Sequence, residues 1–176
     1  MTTPTALQPE RLVRIRGLVL DVDGVLTDGR LYYGSDGSET KAFHVRDGAA
    51  IKQLLRAGLE VAIITGRESP MVRRRAEELG ITALRQGADD KLAAFTALRR
   101  EATAWSTLEP AVCACIGDDL ADLPLFEHLG LALTVADAHP FALERADWRA
   151  NLPGGAGVMR EVAELLLAPR GLWHPR

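Results

Sequence analysis

The sequence contains little of several features that often define a protein's function. Of its 176 residues, 2 are cysteines and 5% are aromatic, and the formal net charge at pH 7 is −3. The low charge argues against electrostatic binding of nucleic acid, and the few aromatics argue against stacking on single-stranded bases. No apolar run approaches the ~20 residues of a membrane span, and the N-terminus lacks the apolar segment of a secretory signal. We therefore expect a cytoplasmic protein with neither a nucleic-acid nor a membrane partner.

Both cysteines lie in one apolar run, residues 111–116. If this run is a strand, Cys113 and Cys115 point to the same face and cannot bond to each other without distorting it. No second pair of Cys or His completes a tetrahedral metal site with them. They are predicted to be free thiols in the core.

The length predicts one domain, because domains typically hold ~100–200 residues. We expect this domain over residues 11–168, between a loose N-terminal leader, 1–10, and a C-terminal tail, 169–176. After a sheet and its helices are counted, no stretch is left for an additional cap domain of ~60–100 residues.

Short apolar runs alternate with helical patterns along the chain. Four runs, residues 17–20, 59–64, 111–116 and 131–135, each end in polar residues, as parallel strands covered on both faces do. The alternation predicts an α/β fold with a Rossmann-like, mainly parallel sheet flanked by helices. Two short alternating runs around a Gly-rich turn predict a β-hairpin flap at about residues 30–43. The predicted helices are 48–57 with Asp47 as N-cap, 70–79 between Ser69 and Gly80, 90–101, 121–128, 140–146 and 158–167.

Carboxylates follow two of the predicted strands, at the edge where ligands bind in open α/β sheets. Asp21 and Asp23 follow the first run, and Asp118, Asp119 and Asp122 follow the third. So many acids at one edge are unfavourable unless a cation lies among them. Since all the available ligands are oxygens, the sequence predicts Mg²⁺ as the cofactor.

The same edge carries the groups that phosphoryl transfer needs. An ionised Asp beside a metal can attack phosphorus, and a second Asp two residues on can protonate the leaving alkoxide. Thr65, the backbone N–H groups around Gly66, and Lys91 can bind phosphoryl oxygens. In order, the pattern is D-x-D-G, T-G-R, K and G-D-D-x-x-D.

This pattern resembles the four signature motifs of the haloacid dehalogenase superfamily phosphatases. Within that superfamily, the chain resembles the capless family that acts on 3-deoxy-D-manno-octulosonate 8-phosphate (KDO 8-phosphate). The resemblance spans residues 17–167. The segments that carry it are 21–29, 41–48, 61–67, 117–122 and 135–140.

The resemblance implies a role for each site residue. Asp21 would be the nucleophile that becomes an aspartyl phosphate, and Asp23 the general acid and then the base. Mg²⁺ would be held by Asp21, the backbone carbonyl of Asp23, and Asp118, with Asp119 or Asp122 in the outer shell. Thr65 and Lys91 would bind the phosphoryl group. The implied substrate contacts are Asp23, His44, Val45, Arg46, Asp47, Gly48, Lys52, Gly66, Arg67, Arg75 and Lys91.

The resemblance also implies an assembly and a pathway. Family members form homotetramers in which the flap packs between subunits and a Gly-rich tail reaches a neighbouring site. Residues 154–160 resemble that tail, with Arg160 as the residue that would enter the neighbour. The implied reaction releases KDO and phosphate for the lipopolysaccharide inner core of a Gram-negative bacterium.

Two residues depart from the family's pattern, and two other functions remain as alternatives. His44 lies where the family has Asn, and Ala156 where a basic residue is common. One alternative is the same chemistry on a nine-carbon, sialic-type acid 9-phosphate, although Arg67 directly after Thr65 and Gly66 favours the eight-carbon substrate. The other is a non-enzymatic phospho-switch, but Asp23 promotes turnover of a phosphoaspartate that a switch would preserve.

Overall fold

The structure, a computed structural model, describes residues 7–174. Six strands form one sheet: β1 (Gly17–Leu20), β4 (Glu60–Ile64), β5 (Ala83–Arg85), β6 (Cys113–Gly117), β7 (Leu131–Thr134) and β8 (Trp148–Arg149). Their order is β5-β4-β1-β6-β7-β8, and every neighbouring pair is parallel. The remaining two, β2 (Tyr32–Tyr33) and β3 (Glu39–Thr40), pair antiparallel as the predicted hairpin. The α/β, Rossmann-like fold is confirmed.

Helices cover the sheet. They are α1 (Pro9–Arg14), α2 (Val45–Arg56), α3 (Pro70–Leu79), α4 (Lys91–Glu101), α5 (Thr103–Ser106), α6 (Leu123–His128), α7 (Pro140–Arg145) and α8 (Met159–Leu167). Short 3-10 turns occur at Pro110–Val112, Leu120–Asp122 and Ala168–Arg170. Among residues 7–174, no helix is long and apolar enough to cross a membrane.

The central strands are continuously apolar because both of their faces are buried. All four residues of β1 are buried, because the strand has neighbours on both edges and helices over both faces. Cys113 and Cys115 of β6 are buried free thiols, as predicted. Strand β1 and its neighbour β6 are therefore buried along their length, and the polar residues that end them lie at the carboxyl edge of the sheet.

Helix α2 begins earlier than predicted. Its N-cap is His44, whose Nδ1 accepts a hydrogen bond from Arg46 N at 3.0 Å, so the prediction of Asp47 as the cap is wrong. A ring nitrogen here accepts a backbone hydrogen bond, as an Asn side-chain oxygen does at many N-caps. Ser69 and the left-handed Gly80 bound α3 as predicted. The strands and α-helices that the sequence did not predict are all brief: α1, β5, α5 and β8.

Both predicted chain ends lie partly outside the described residues, which leave out 1–6 and 175–176. Where the structure describes them, the helix that begins in the predicted leader contacts the start of the predicted tail. Pro9 begins α1, so the last two residues of the predicted leader are helical. The Arg170 guanidinium donates to the carbonyl oxygens of Leu12, at 2.9 Å, and Ile15. Arg170, in the predicted tail, therefore holds the C-terminal end of α1 by hydrogen bonds.

Candidate active site

The site begins with two neighbouring strands. Because β1 and β6 are parallel and adjacent, the residues that follow them meet at one edge. Asp21 follows β1, and its backbone N–H donates to the carbonyl of Ile116 at 3.1 Å. Oxygens of Asp21, Asp118 and Asp122 lie within 4.8 Å of one another. The strand ends thus bring together three of the five acids that the sequence groups at this edge, without Asp23 and Asp119.

Lys91, the first residue of α4, lies inside this cluster. Its Nζ is 2.9 Å from Oδ1 of Asp21 and 2.6 Å from Oδ1 of Asp122, and its side chain is only 4% exposed. The other oxygen of Asp122 accepts the backbone N–H groups of Asp118, at 3.0 Å, and Asp119, at 3.2 Å. Asp122 therefore orients both the lysine and the loop after β6.

The electrostatics of the cluster favour a cation. Burial, then repulsion by Asp122, raises the pKa of Asp21 to about 6, against the opposing effect of Lys91. Burial, then repulsion by Asp21, raises the pKa of Asp118 to about 8. Oδ1 of Asp118 is also buried without a hydrogen-bond partner among the described residues. A bound cation would stabilise the ionised form of these carboxylates and would give Oδ1 of Asp118 a partner. Because all the donors are oxygens, the group fits Mg²⁺.

Gly24 allows this close approach. It has a φ of +93°, and a β-carbon there would overlap the carboxylate of Asp118. A residue with a side chain would therefore be strained in its backbone and would displace a candidate metal ligand. The D-x-D-G motif needs its glycine for this reason.

Asp23 lies at the mouth of the site and faces the hairpin. Its Oδ1 accepts a hydrogen bond from Lys41 Nζ, and its Oδ2 lies 3.9 Å from Nε of Arg67. Arg67 also donates to Oε2 of Glu39 at 3.1 Å. Sequence reasoning selected Asp23 and Arg67 but missed Lys41 and Glu39. The one signal was that Lys41 opens the 41–48 segment of the resemblance.

Thr65 and Gly66 follow β4, the other neighbour of β1. Thr65 is buried, and its backbone N–H and carbonyl are bonded to Arg85 O at 3.0 Å and Ala88 N at 3.1 Å. Gly66 is exposed. The loop is thus held by the sheet while its outer surface stays open.

One predicted substrate residue, Arg75, lines a cavity between the hairpin and α3. Arg75 donates to the carbonyl of His44 at 3.3 Å, and its guanidinium carbon lies 5.8 Å from the centre of the Phe43 ring. A β-carbon at Gly48 would overlap that guanidinium group. The cavity has a volume of about 290 Å³ and is lined by Lys41, Phe43, Met71, Arg74, Arg75 and Glu78.

Other predicted substrate residues are placed differently. Val45, Arg46 and Lys52 are exposed on α2, and the Lys52 side chain makes no hydrogen bond or ion pair with any residue in 7–174. Asp47 is buried, and its Oδ1 accepts the backbone N–H of Met159 at 2.8 Å. Asp47 therefore anchors the start of α8, and its contact with substrate stays a prediction.

The Gly-rich segment is bonded within its own chain, and the entry of Arg160 into a neighbouring site stays a prediction. Gly155 N donates to the carbonyl of Val25 at 2.9 Å, and Gly154 N donates to Oδ1 of Asp137 at 3.0 Å. A β-carbon at Gly154 would overlap the carbonyl oxygen of Gly24. Arg160 lies in α8 over the ring of Trp173, with its guanidinium carbon 5.8 Å from the ring centre. The segment packs against the chain's own catalytic loop.

Comparisons with known proteins agree with this geometry. No protein-family model matches the chain. It is 49% identical over 157 residues, 89% of this chain and 81% of the relative, to the 3-deoxy-D-manno-octulosonate 8-phosphate phosphatase KdsC of Escherichia coli. A crystal structure of the Moraxella catarrhalis phosphatase in complex with magnesium ion, phosphate ion and KDO matches with a TM-score of 0.86 and 42% identity, covering 92% of this chain and 90% of that one. The cobalt-bound Haemophilus influenzae enzyme matches with a TM-score of 0.85 and 39% identity, covering 92% of each chain.

Proposed function

The chain belongs to the KDO 8-phosphate phosphatase family of the haloacid dehalogenase superfamily, and from this premise we propose that it hydrolyses KDO 8-phosphate to KDO and phosphate with Mg²⁺. The observation that carries the proposal is the buried group of Asp21, Lys91, Asp118 and Asp122 at the ends of β1 and β6. This group combines a nucleophile, a fixed cation and a candidate metal site.

In the first step, an oxygen of Asp21 attacks phosphorus and the bond from phosphorus to the sugar oxygen breaks. With a pKa of about 6, Asp21 is mostly ionised at pH 7 and can act as the nucleophile. Asp23 donates a proton to the leaving sugar oxygen. Lys91, fixed against Asp21 and Asp122, and Thr65 with the Gly66 backbone hold the phosphoryl oxygens.

In the second step, water attacks the aspartyl phosphate. Asp23, now deprotonated, accepts a proton from this water, and phosphate leaves while Asp21 is regenerated. Asp21, Asp118 and the backbone carbonyl of Asp23 would hold Mg²⁺, with Asp122 behind them. The ion would offset the carboxylate charges and the charge of the phosphoryl group.

The sugar acid would lie beside Asp23, toward the cavity between the hairpin and α3. Arg67 and Arg75 supply positive charge there, and charged guanidinium groups bind carboxylates well. His44, Val45, Arg46, Gly48 and Lys52, at the N-cap and in the first half of α2, would complete the contacts to the sugar acid.

We also propose a homotetramer in the cytoplasm of a Gram-negative bacterium. The hairpin supports the assembly, because Leu31, Tyr32 and Tyr33 are 45%, 41% and 65% exposed. Exposed apolar residues grouped on one hairpin are typical of an interface. Light scattering tests this directly: a monomer at micromolar concentration would contradict the tetramer.

The function is tested by phosphate release with Mg²⁺ from KDO 8-phosphate, a nine-carbon sugar acid 9-phosphate and hexose phosphates. We expect a preference of ~100-fold or more in kcat/KM for KDO 8-phosphate. Preference for the nine-carbon acid would retain the mechanism and change the substrate. A stable phosphoprotein without turnover would contradict the enzymatic function.

A further inference from the structure

Lysine is scarce in this chain, and its placement is selective. There are three lysines, Lys41, Lys52 and Lys91. Lys52 is exposed, whereas the side chains of Lys91 and Lys41 are only 4% and 1% exposed. A buried ammonium group is unfavourable unless it is paired. Each buried lysine is paired with one of the two aspartates of the D-x-D motif.

The two lysines approach the motif from opposite sides. Lys91 comes from α4 and contacts Asp21, while Lys41 follows β3 of the hairpin and contacts Asp23. Lys41 Nζ also lies 3.5 Å from Oε1 of Glu39, whose other oxygen is bonded to Arg67. Arg67 in turn faces Asp23, which closes a ring of alternating charges.

Within this ring, the two oxygens of Asp23 differ. Oδ1 is engaged by Lys41, whereas Oδ2 has no hydrogen-bond partner among residues 7–174. A carboxylate that rotates freely about χ2 would present either oxygen at variable positions. With Oδ1 held by Lys41 and, at 3.4 Å, by the hydroxyl of Thr27, Oδ2 is the oxygen left without a hydrogen bond to exchange a proton with the leaving group or with water.

We propose that Lys41 is a positioning residue that fixes the Asp23 carboxylate for both proton transfers, with Glu39 holding Lys41 in place. The inference rests on the proposed function, in which Asp23 is the general acid and base. It makes the hairpin part of the catalytic apparatus, since Lys41 and Glu39 both belong to it. Proton transfer is sensitive to geometry, so a small displacement of Asp23 has a large effect on rate.

The test uses Lys41→Met, which keeps most of the length of the side chain and removes its charge, at saturating Mg²⁺. We expect kcat for KDO 8-phosphate to fall about 10²-fold while KM changes less than about threefold. Arg73→Met, an exposed position on α3, is the matched control and should retain wild-type rates. A rise in KM with unchanged kcat would show that Lys41 binds substrate directly, and would overturn the proposal.

A second substrate separates positioning from a general structural role. 4-Nitrophenolate is a good leaving group that hardly needs protonation, so the burst of nitrophenolate from 4-nitrophenyl phosphate reports attack by Asp21 alone. In Lys41→Met, this burst should slow less than about fivefold, whereas single-turnover cleavage of KDO 8-phosphate slows about 10²-fold. Equal loss with both substrates would contradict a role through Asp23.

Glu39→Gln covers the case in which Lys41→Met does not fold. It loosens the ring without removing the lysine, and should give the same substrate pattern with a loss of about three- to tenfold. No difference from wild type would contradict the role of Glu39. The wild type in the same assays tests the proposed function separately. If it rejects KDO 8-phosphate, the substrate assignment fails, and the leaving-group comparison is made with a primary alkyl phosphate that it does hydrolyse.

Discussion

The two aspartates of the D-x-D motif are held by different kinds of structure. Asp21 belongs to a buried group supported by the central strands, namely β1 and β6, and by α4. Asp23, two residues later, is 19% exposed and depends on Lys41 and Glu39 of the hairpin and on Arg67. We infer a division of work, in which the sheet sets the position of the nucleophile and metal, and the hairpin sets proton transfer and access of the sugar acid.

The largest expected effect lies on the sheet side. Asp21→Asn removes the ionised nucleophile and should lower phosphate release by at least about 10³-fold. The fold should persist, because an Asn at this position relieves the repulsion from Asp122. Phosphate release and the melting temperature measure the two outcomes. Full activity in this variant would remove the aspartyl-phosphate mechanism.

Metal binding tests whether the residues at the ends of β1 and β6 bind Mg²⁺ independently of the hairpin. Chelation should abolish activity, and affinity for Mg²⁺ should rise on the order of tenfold from pH 6 to pH 7, since the ion must displace a proton from Asp118, whose pKa is about 8. Titration calorimetry across this range measures the affinity. Lys41→Met should leave it unchanged within about twofold; a large loss in that variant would break the division between the two sides.

The stability of the metal-free protein should fall as pH rises from about 4 to 8. The pKa values of Asp21 and Asp118 rise from 3.8 to about 6 and about 8, so the folded protein binds more protons than the unfolded chain in this interval. Urea unfolding with a chelator should show this decline, and Asp118→Asn should reduce it. Increasing stability over the interval would contradict the raised pKa values.

A smaller effect is expected on the hairpin side from Arg75. Arg75→Met removes a cation from the cavity beside Asp23, and should raise KM for KDO 8-phosphate about tenfold while kcat changes little. Steady-state kinetics with KDO 8-phosphate and 4-nitrophenyl phosphate measure it. The second substrate has no carboxylate, so its KM is the internal control and should hardly change.

The smallest effect is expected outside both sides. Arg160 stacks on Trp173 of its own chain, so Arg160→Ala should cost about 0.5–1 kcal/mol of stability and change kcat/KM less than about twofold. A large loss of kcat/KM without loss of stability would instead support the prediction that Arg160 enters the active site of a neighbouring subunit.

The comparison also explains what could be predicted from the sequence. Asp21 and Asp118 end two apolar runs, and parallel strands bring such ends together whatever the remaining detail. Glu39 lies on the two-residue strand β3 and Lys41 directly follows it, and their place over the site depends on how the hairpin packs, which local patterns do not encode. Asp47 illustrates the same limit: the sequence predicts it as an N-cap, but its Oδ1 accepts a hydrogen bond from the backbone N–H of Met159, 112 residues away.

The contact between the Gly-rich segment and the catalytic loop has a consequence for synthesis of the protein. The loop after β1 is completed by Gly154 and Gly155, which lie late in the chain. At ~5–20 residues per second, a ribosome makes Asp21 on the order of ten seconds before these glycines. The nascent chain therefore contains its nucleophile well before the segment that packs against the loop around it has been made.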